Sequence, residues 1–165
     1  MIRQARSDDA AQLAGIYNHY VLNTVITFEE TSVLPVEMAA RIQSIEAHGL
    51  PWLIAEDNGL VQGFAYANTW KARHAYRHSV EITIYLAPNL TTRGIGTALY
   101  HSLFKELRQL QVHAVVACIA LPNAHSAALH EKFGMKKTAH FSEVGYKFGR
   151  WLDVGYWQVN LRLEK

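Results

Sequence analysis

Residues 114–121 read AVVACIAL, eight apolar positions in a row. A strand with one wet face alternates apolar and polar residues, so an unbroken run asks for cover on both faces. The run therefore predicts a central strand in a sheet with helices packed on either side. Its neighbours fit that frame. Before it, HSVEITIYLAP (78–88) predicts another strand and GTALYHSLFKELRQLQ (96–111) a long amphipathic helix with Leu99, Leu103, Leu107 and Leu110 on one face. After it, NAHSAALHEKFG (123–134) predicts a shorter helix with an Asn cap and a Gly stop.

The remaining elements follow from local signals. MIRQAR opens as a strand, and Ser7 is expected to cap a first helix that carries Asp8 and Asp9 in its first turn. NTVITFEETSV (23–33) predicts an extended connection near a site, and Pro35 starts a second helix that Gly49 ends. PWLIAED and LVQGFAYANTW flank Asn58-Gly59, a hairpin turn. The C-terminal residues from Met135 finish as strands. The order β-α-α-β-β-β-α-β-α-β-β is mixed α/β with antiparallel hairpins, and 165 residues suit one domain spanning 1–165.

Composition excludes several functions. A net charge of +2 gives no pull toward nucleic acid or an anionic membrane. Nine histidines are scattered, none at a metal spacing with the single cysteine, so no metal site is expected. Cys118 lies within the apolar run and is expected to be a buried, inert thiol. The N-terminal stretch carries acids and does not read as a signal peptide, and no apolar stretch approaches membrane-spanning length. A cytoplasmic protein without membrane or nucleic-acid partners is expected.

Chemistry concentrates at LTTRGIGTALYH (90–101). Strand, glycine loop and helix start together make an anion site, because unpaired amides point outward there and the macrodipole adds positive charge. A P-loop would need Lys and Ser/Thr after its last glycine, and here Thr97 and Ala98 follow Gly96. A dinucleotide fingerprint would need Gly or Ala at position 99, which is Leu. Phosphate binding on main-chain amides, helped by Arg93, is the expectation left.

TRGIGTAL resembles the acetyl-CoA pyrophosphate loop of the GNAT N-acetyltransferases, and NAHSAALHEKFGM resembles that superfamily's Asn-led segment. IYNHYV, PWLIAE, WKARHAY, VEITIYL and GYKFGRWLDVGYWQ are similar to one branch, the phosphinothricin and methionine sulfoximine (sulfone) N-acetyltransferases. These pieces run from residue 16 to 158. The resemblance implies the GNAT fold: a mostly antiparallel central sheet with a splayed strand pair, flanked by helices. It implies acetyl-CoA as co-substrate, no metal, and transfer of the acetyl group to the α-amine of a small amino acid in a ternary complex. Thr91 and Thr92 stand where that superfamily usually has Gln or Arg and Gly.

Site residues follow from the same resemblance. Glu81 is the implied base; a carboxylate inside an apolar strand also has its pKa raised by burial, toward the range that accepts protons. His130 takes the slot of a thiolate-protonating tyrosine, as acid or cofactor contact. Backbone groups of Ile84, Tyr85 and Leu86 would meet the thioester and pantetheine. Thr92, Arg93, Gly94, Ile95, Gly96 and Thr97 would take the pyrophosphate, and Asn123 the pantetheine. Lys71 and Arg73 would bind the acceptor's anionic groups, with Phe28, Tyr76 and Thr83 completing the pocket. The aromatic segment 145–157 implies a homodimer. Alternatives are an acetyltransferase for another small amine or a protein N-terminus, or a non-catalytic acyl-CoA-binding module.

Overall fold

The computed structural model describes residues 1–90 and 92–161. Its elements are β1 (Ile2–Gln4), α1 (Ala10–Asn23), α2 (Pro35–Ala47), β2 (Trp52–Asp57), β3 (Leu60–Thr69), β4 (Ser79–Leu86), α3 (Ile95–Gln109), β5 (Ala114–Leu121), α4 (Ala124–Lys132), β6 (Lys136–Lys147) and β7 (Arg150–Asn160). The predicted order is present element for element. A seven-stranded sheet runs β1-β2-β3-β4-β5-β7-β6, and β4–β5 is its parallel pair. No helix among the described residues is long and apolar enough to cross a membrane.

Side-chain alternation sorts the sheet's two faces. Leu53, Ala65, Ala67, Val80, Ile82, Ala117 and Ile119 turn toward α3, whose Leu99, Tyr100, Leu103 and Leu107 are fully buried against them. Trp52, Ile54 and Phe64 turn the other way, onto Leu13, Ile16 and Val21 of α1 and Met38 and Ile42 of α2. Glu81, Thr83 and Tyr85, one position off the α3-facing set, therefore belong to the α1/α2 face. The β2–β3 hairpin closes through Asn58 and Gly59, both at positive φ, as a two-residue primed turn requires.

Local expectations fail at three places. Ser7 caps nothing: it starts a short 3-10 turn, and Asp9 does the capping work, accepting the Arg6 amide at 2.7 Å while Arg3 forks its carboxylate at 2.8 Å on both oxygens. Leu110 falls just beyond α3 and is exposed, because the helix ends one residue too early to carry it onto the buried face. Cys118 is exposed as well. Its neighbours Ala117 and Ile119 are covered by α3, whereas α1 and α2 do not extend over β5 at this point.

That gap in the cover coincides with a gap in the sheet. β4 and β5 pair only through Ser79–Ala114, Val80–Val115 and Glu81–Val116. Beyond that rung β4 stays paired with β3 out to Leu86, and β5 stays paired with β7 out to Leu121. The two strands thus part like a fork, with Glu81 at its crotch.

Candidate active site

A cleft of about 210 Å³ occupies the fork, lined by Glu81, Thr83, Tyr85, Cys118, His130 and Phe28 among others. Glu81 is half-buried, and burial pushes its carboxyl above the ordinary glutamate value, against a smaller lowering by the charge of Lys71. The last β4–β5 rung holds its backbone. Along residues 82–86, backbone groups that face away from β3 lack a strand partner on the β5 side, and polar main chain in such a place needs a partner from elsewhere. Tyr20 supplies one, donating its hydroxyl to the Leu86 carbonyl at 2.6 Å.

The glycine loop lies at the open end of the fork. Gly94 takes φ +87°, left-handed backbone that a side chain disfavours, and forms the N-terminal boundary of α3. No side chain caps this helix, and its first internal bond runs from the Ala98 amide to the Gly94 carbonyl at 2.9 Å. Gly96 has a different reason to be glycine. A Cβ there would lie 3.3 Å from Leu129 and 3.6 Å from Ile84 and Leu86, so the missing side chain lets α3 sit down on α4 and β4. Thr92, Arg93 and Gly94 are exposed, while Ile95 and Thr97 are half-covered. Lys132, which the sequence did not single out, reaches from α4 to donate to Thr97 Oγ1 at 3.3 Å. Thr91 lies outside the described residues.

α4 forms the cleft's other wall. Asn123 caps it, its Oδ1 accepting the Ser126 amide at 3.1 Å. His130, only 3% exposed, is held at both ring nitrogens: Nδ1 lies 2.6 Å from the Ser126 carbonyl and Nε2 2.8 Å from the Tyr100 hydroxyl. A carbonyl can only accept, so Nδ1 carries the proton and Nε2 accepts from Tyr100. Burial lowers the pKa of His130, and the ring is neutral at pH 7.

Phe28 and Thr83 line the cleft, but the other three substrate candidates do not. Lys71 is exposed and lies over the Trp70 ring at 5.4 Å, and only its field reaches Glu81. Tyr76 packs edge-on against Trp70 and Arg73 precedes a short 3-10 turn, both exposed. Cys118 enters the cleft unpredicted. Desolvation holds its thiol above the usual range, so it is protonated at neutral pH and is no activated nucleophile.

The Phe28 wall belongs to the extended 24–34 connection, which other elements hold in place. Asn18 of α1 accepts the Val33 amide and donates to its carbonyl, at 2.8 and 2.9 Å. Tyr17 shares a 2.8 Å hydrogen bond with Thr27. From β6, Lys147, 1% exposed, donates to the Thr27 carbonyl at 2.8 Å. Nothing in the sequence marked this buried lysine, because its partner lies 120 residues away.

Comparison with known proteins agrees with this geometry. The Acetyltransferase (GNAT) domain family matches residues 2–155. A phosphinothricin N-acetyltransferase of Streptomyces viridochromogenes is 38% identical over 98% of this chain and 88% of its own. An L-methionine sulfoximine/L-methionine sulfone acetyltransferase of Salmonella typhimurium is 36% identical over 97% of this chain and 94% of its own. The crystal structure of a GNAT superfamily phosphinothricin acetyltransferase from Sinorhizobium meliloti, in complex with AcCoA, superposes with a TM-score of 0.93 at 38% identity, covering 98% of this chain and 88% of that one. A sheet forked beside a glycine-led helix, matched at that identity over almost the full length, assigns this chain to the GNAT family of N-acetyltransferases.

Proposed function

We propose that the protein moves the acetyl group of acetyl-CoA directly onto the α-amine of a small amino acid, with sulfone, sulfoximine or phosphinate analogues of that kind as acceptors. Glu81 carries this proposal. Its carboxylate sits where the sheet opens, half-buried, with its pKa raised toward the range of a proton acceptor, and it faces the cleft in which an amine would meet a thioester.

Each neighbour has a part consistent with its surroundings. Along Ile84, Tyr85 and Leu86 the pantetheine arm is received by the main-chain groups of Ile84 and the Leu86 amide, which face away from β3, and an amide there takes the charge developing on the thioester oxygen. The Thr92–Thr97 loop, with the amides opening α3, takes the pyrophosphate, and the cations of Arg93 and Lys132 add charge. Asn123 shapes the pantetheine wall by capping α4. His130 serves as a cleft contact rather than an imidazolium acid, since its one proton is committed to Ser126 and burial keeps it neutral. Phe28 and Thr83 border the acceptor, and Lys71 tunes Glu81 through space.

The exposed aromatic residues Tyr146, Phe148 and Trp151, with Phe141 and Val144, give β6 and β7 an outer surface suited to a second copy, and a homodimer is part of this proposal. So are a single domain spanning the chain and a cytoplasmic setting.

The test is thiol release from acetyl-CoA with a panel of free amino acids and their analogues. Glu81→Gln should cut turnover by roughly 10²–10⁴-fold with acetyl-CoA affinity retained. A buried carboxyl with raised pKa is most stable protonated and loses stability as pH rises through that value. The amide should therefore hold or raise Tm at neutral pH. Loss of cofactor binding and Tm together would make Glu81 a structural residue.

A further inference from the structure

Breaking a thioester leaves an electron pair on sulfur, and an anion released into a half-buried cleft needs a hydrogen-bond donor. Glu81 is the wrong group for that task, because as the proposed base its carboxylate takes the proton of the attacking amine. Cys118, across the cleft on β5, is only a weak donor. Two side chains of α4 line the cleft, Ser126 and His130. His130 has nothing to give. Its Nδ1–H goes to the Ser126 carbonyl at 2.6 Å, and its Nε2 accepts from the Tyr100 hydroxyl at 2.8 Å.

Ser126 is placed differently. It is half-buried in the first turn of α4, and its backbone amide is taken by Asn123 Oδ1 at 3.1 Å. Its Oγ lies 3.4 Å from His130 Nδ1. That nitrogen carries the ring's proton, so Oγ can only accept there, and at that length weakly. A helical serine often donates back to the carbonyl four residues earlier, and this one makes no such bond to Pro122. The hydroxyl hydrogen thus has no acceptor among the described residues, and the space beside it is the cleft.

We propose that Ser126 is a catalytic residue whose Oγ–H hydrogen-bonds the coenzyme A sulfur as the C–S bond breaks. The proposal rests on the direct transfer proposed above. The amine nitrogen bonds to the acyl carbon, the C–S bond breaks with its electron pair on sulfur, and nitrogen's surplus proton passes to Glu81. The sulfur anion accepts the Ser126 hydrogen bond and takes its own proton from water as coenzyme A leaves. Glu81 returns its proton to water. Ser126 keeps its proton throughout. A relay that gave it up would draw on His130 and then on Tyr100, ending as a phenolate on a fully buried ring whose pKa burial already raises.

Single-turnover and steady-state kinetics of the unaltered chain, Ser126→Ala and Ser126→Thr, with acetyl-CoA and the best amino-acid acceptor of the panel, test it. Ser126→Ala removes the hydroxyl but keeps the carbonyl that holds His130 and the amide that Asn123 takes, so Tm should stay within about 3 °C. The single-turnover rate should fall roughly ten- to a hundredfold, the value of a hydrogen bond to a charged group, with the acceptor KM and the Kd of desulfo-CoA within about twofold. Desulfo-CoA lacks the sulfur, so it reports the remaining cofactor contacts alone. Ser126→Thr retains a hydroxyl and should recover most of the rate. An unchanged rate in Ser126→Ala, an equal loss in Ser126→Thr, or a matching loss of desulfo-CoA affinity would each overturn the role. An unaltered protein that releases no thiol with any amino acid would instead remove the proposed function, and this role with it.

Discussion

Gly145→Ala isolates a wall of the proposed acceptor cleft from its chemistry. A Cβ built at Gly145 on β6 meets the Phe28 ring, with Cζ at 2.5 Å and Cδ2 at 3.0 Å. Cε2 stands closer still, and ordinary contact begins at 3.4 Å, so the ring has to retreat by roughly 1 Å. The backbone of residue 145 is not at positive φ, and no atom outside the Phe28 ring stands within 3 Å, so the strain falls on Phe28. That ring is 38% exposed, lines the Glu81 cleft and is free to turn into it. An off-rotamer side chain costs about 0.5–1.5 kcal/mol, which for a chain of this size lowers Tm by only about 1–6 °C. The kinetic effect should be larger, because displacing a positioning group by about 1 Å can cost up to 10²-fold in rate. We therefore expect kcat/KM for the acceptor to fall ten- to a hundredfold, with KM for acetyl-CoA unchanged. Initial-rate kinetics with each substrate varied, alongside a thermal melt, make the measurement. Unaltered acceptor kinetics would refute Phe28 as a wall of the site, and a parallel rise in the acetyl-CoA KM would refute the division of the cleft into two sides.

Lys147→Met removes the donor that holds Thr27 but keeps the length of the side chain. Relief of the buried lysine's desolvation offsets the lost hydrogen bond, so Tm should move by less than about 4 °C. The acceptor KM should rise severalfold with kcat nearly constant, and an unchanged KM would make the clamp irrelevant to binding. Lys71→Met probes Glu81 by charge alone. As the proposed base, Glu81 must be ionised to accept a proton; its pKa is raised by burial, and Lys71 pulls it partly back. Activity should therefore fall with decreasing pH above the ordinary glutamate range, and losing Lys71 should move that acid limb of kcat/KM to higher pH. Lys71→Arg should restore it, and a limb that stays put in both variants would assign the ionisation to another group.

The fold was legible in the sequence because its elements announce themselves by period and punctuation. Leu99, Leu103 and Leu107 mark the buried stripe of α3, Asn58-Gly59 the β2–β3 turn, and Gly49 the end of α2. The site was legible in part. Glu81 stood out as an acid in an apolar strand, but the fork beside it depends on where β4 stops pairing with β5, and no local pattern encodes that. Cys118 illustrates the limit. Eight apolar residues cannot report that one of them faces a cleft, because whether a face is covered depends on how far α1 and α2 extend over it. Lys147 and Trp52 escaped for the same reason in reverse. A lysine reads as solvated and a tryptophan as core until a carbonyl 120 residues away, or the lack of an acceptor for Trp52 Nε1 among the described residues, is visible.

The same contrast explains how the molecule divides its work. The side of the cleft proposed for the cofactor is built mostly from main chain: open amides at α3, unpaired groups along residues 82–86, and α4 held by its own Asn123 cap. Main-chain groups tolerate substitution, so that side can persist while the sequence around it drifts. On the side proposed for the acceptor, side chains from distant parts of the chain hold one another: Tyr17 and Lys147 grip Thr27, Gly145 makes room for Phe28, and Glu29 and Glu37 fix Arg41. A single substitution there moves a wall of the pocket without touching Glu81. If that side takes the acceptor as proposed, acceptor preference should change by steps at Phe28 and at the residues that hold it, with the transfer chemistry at the fork left intact.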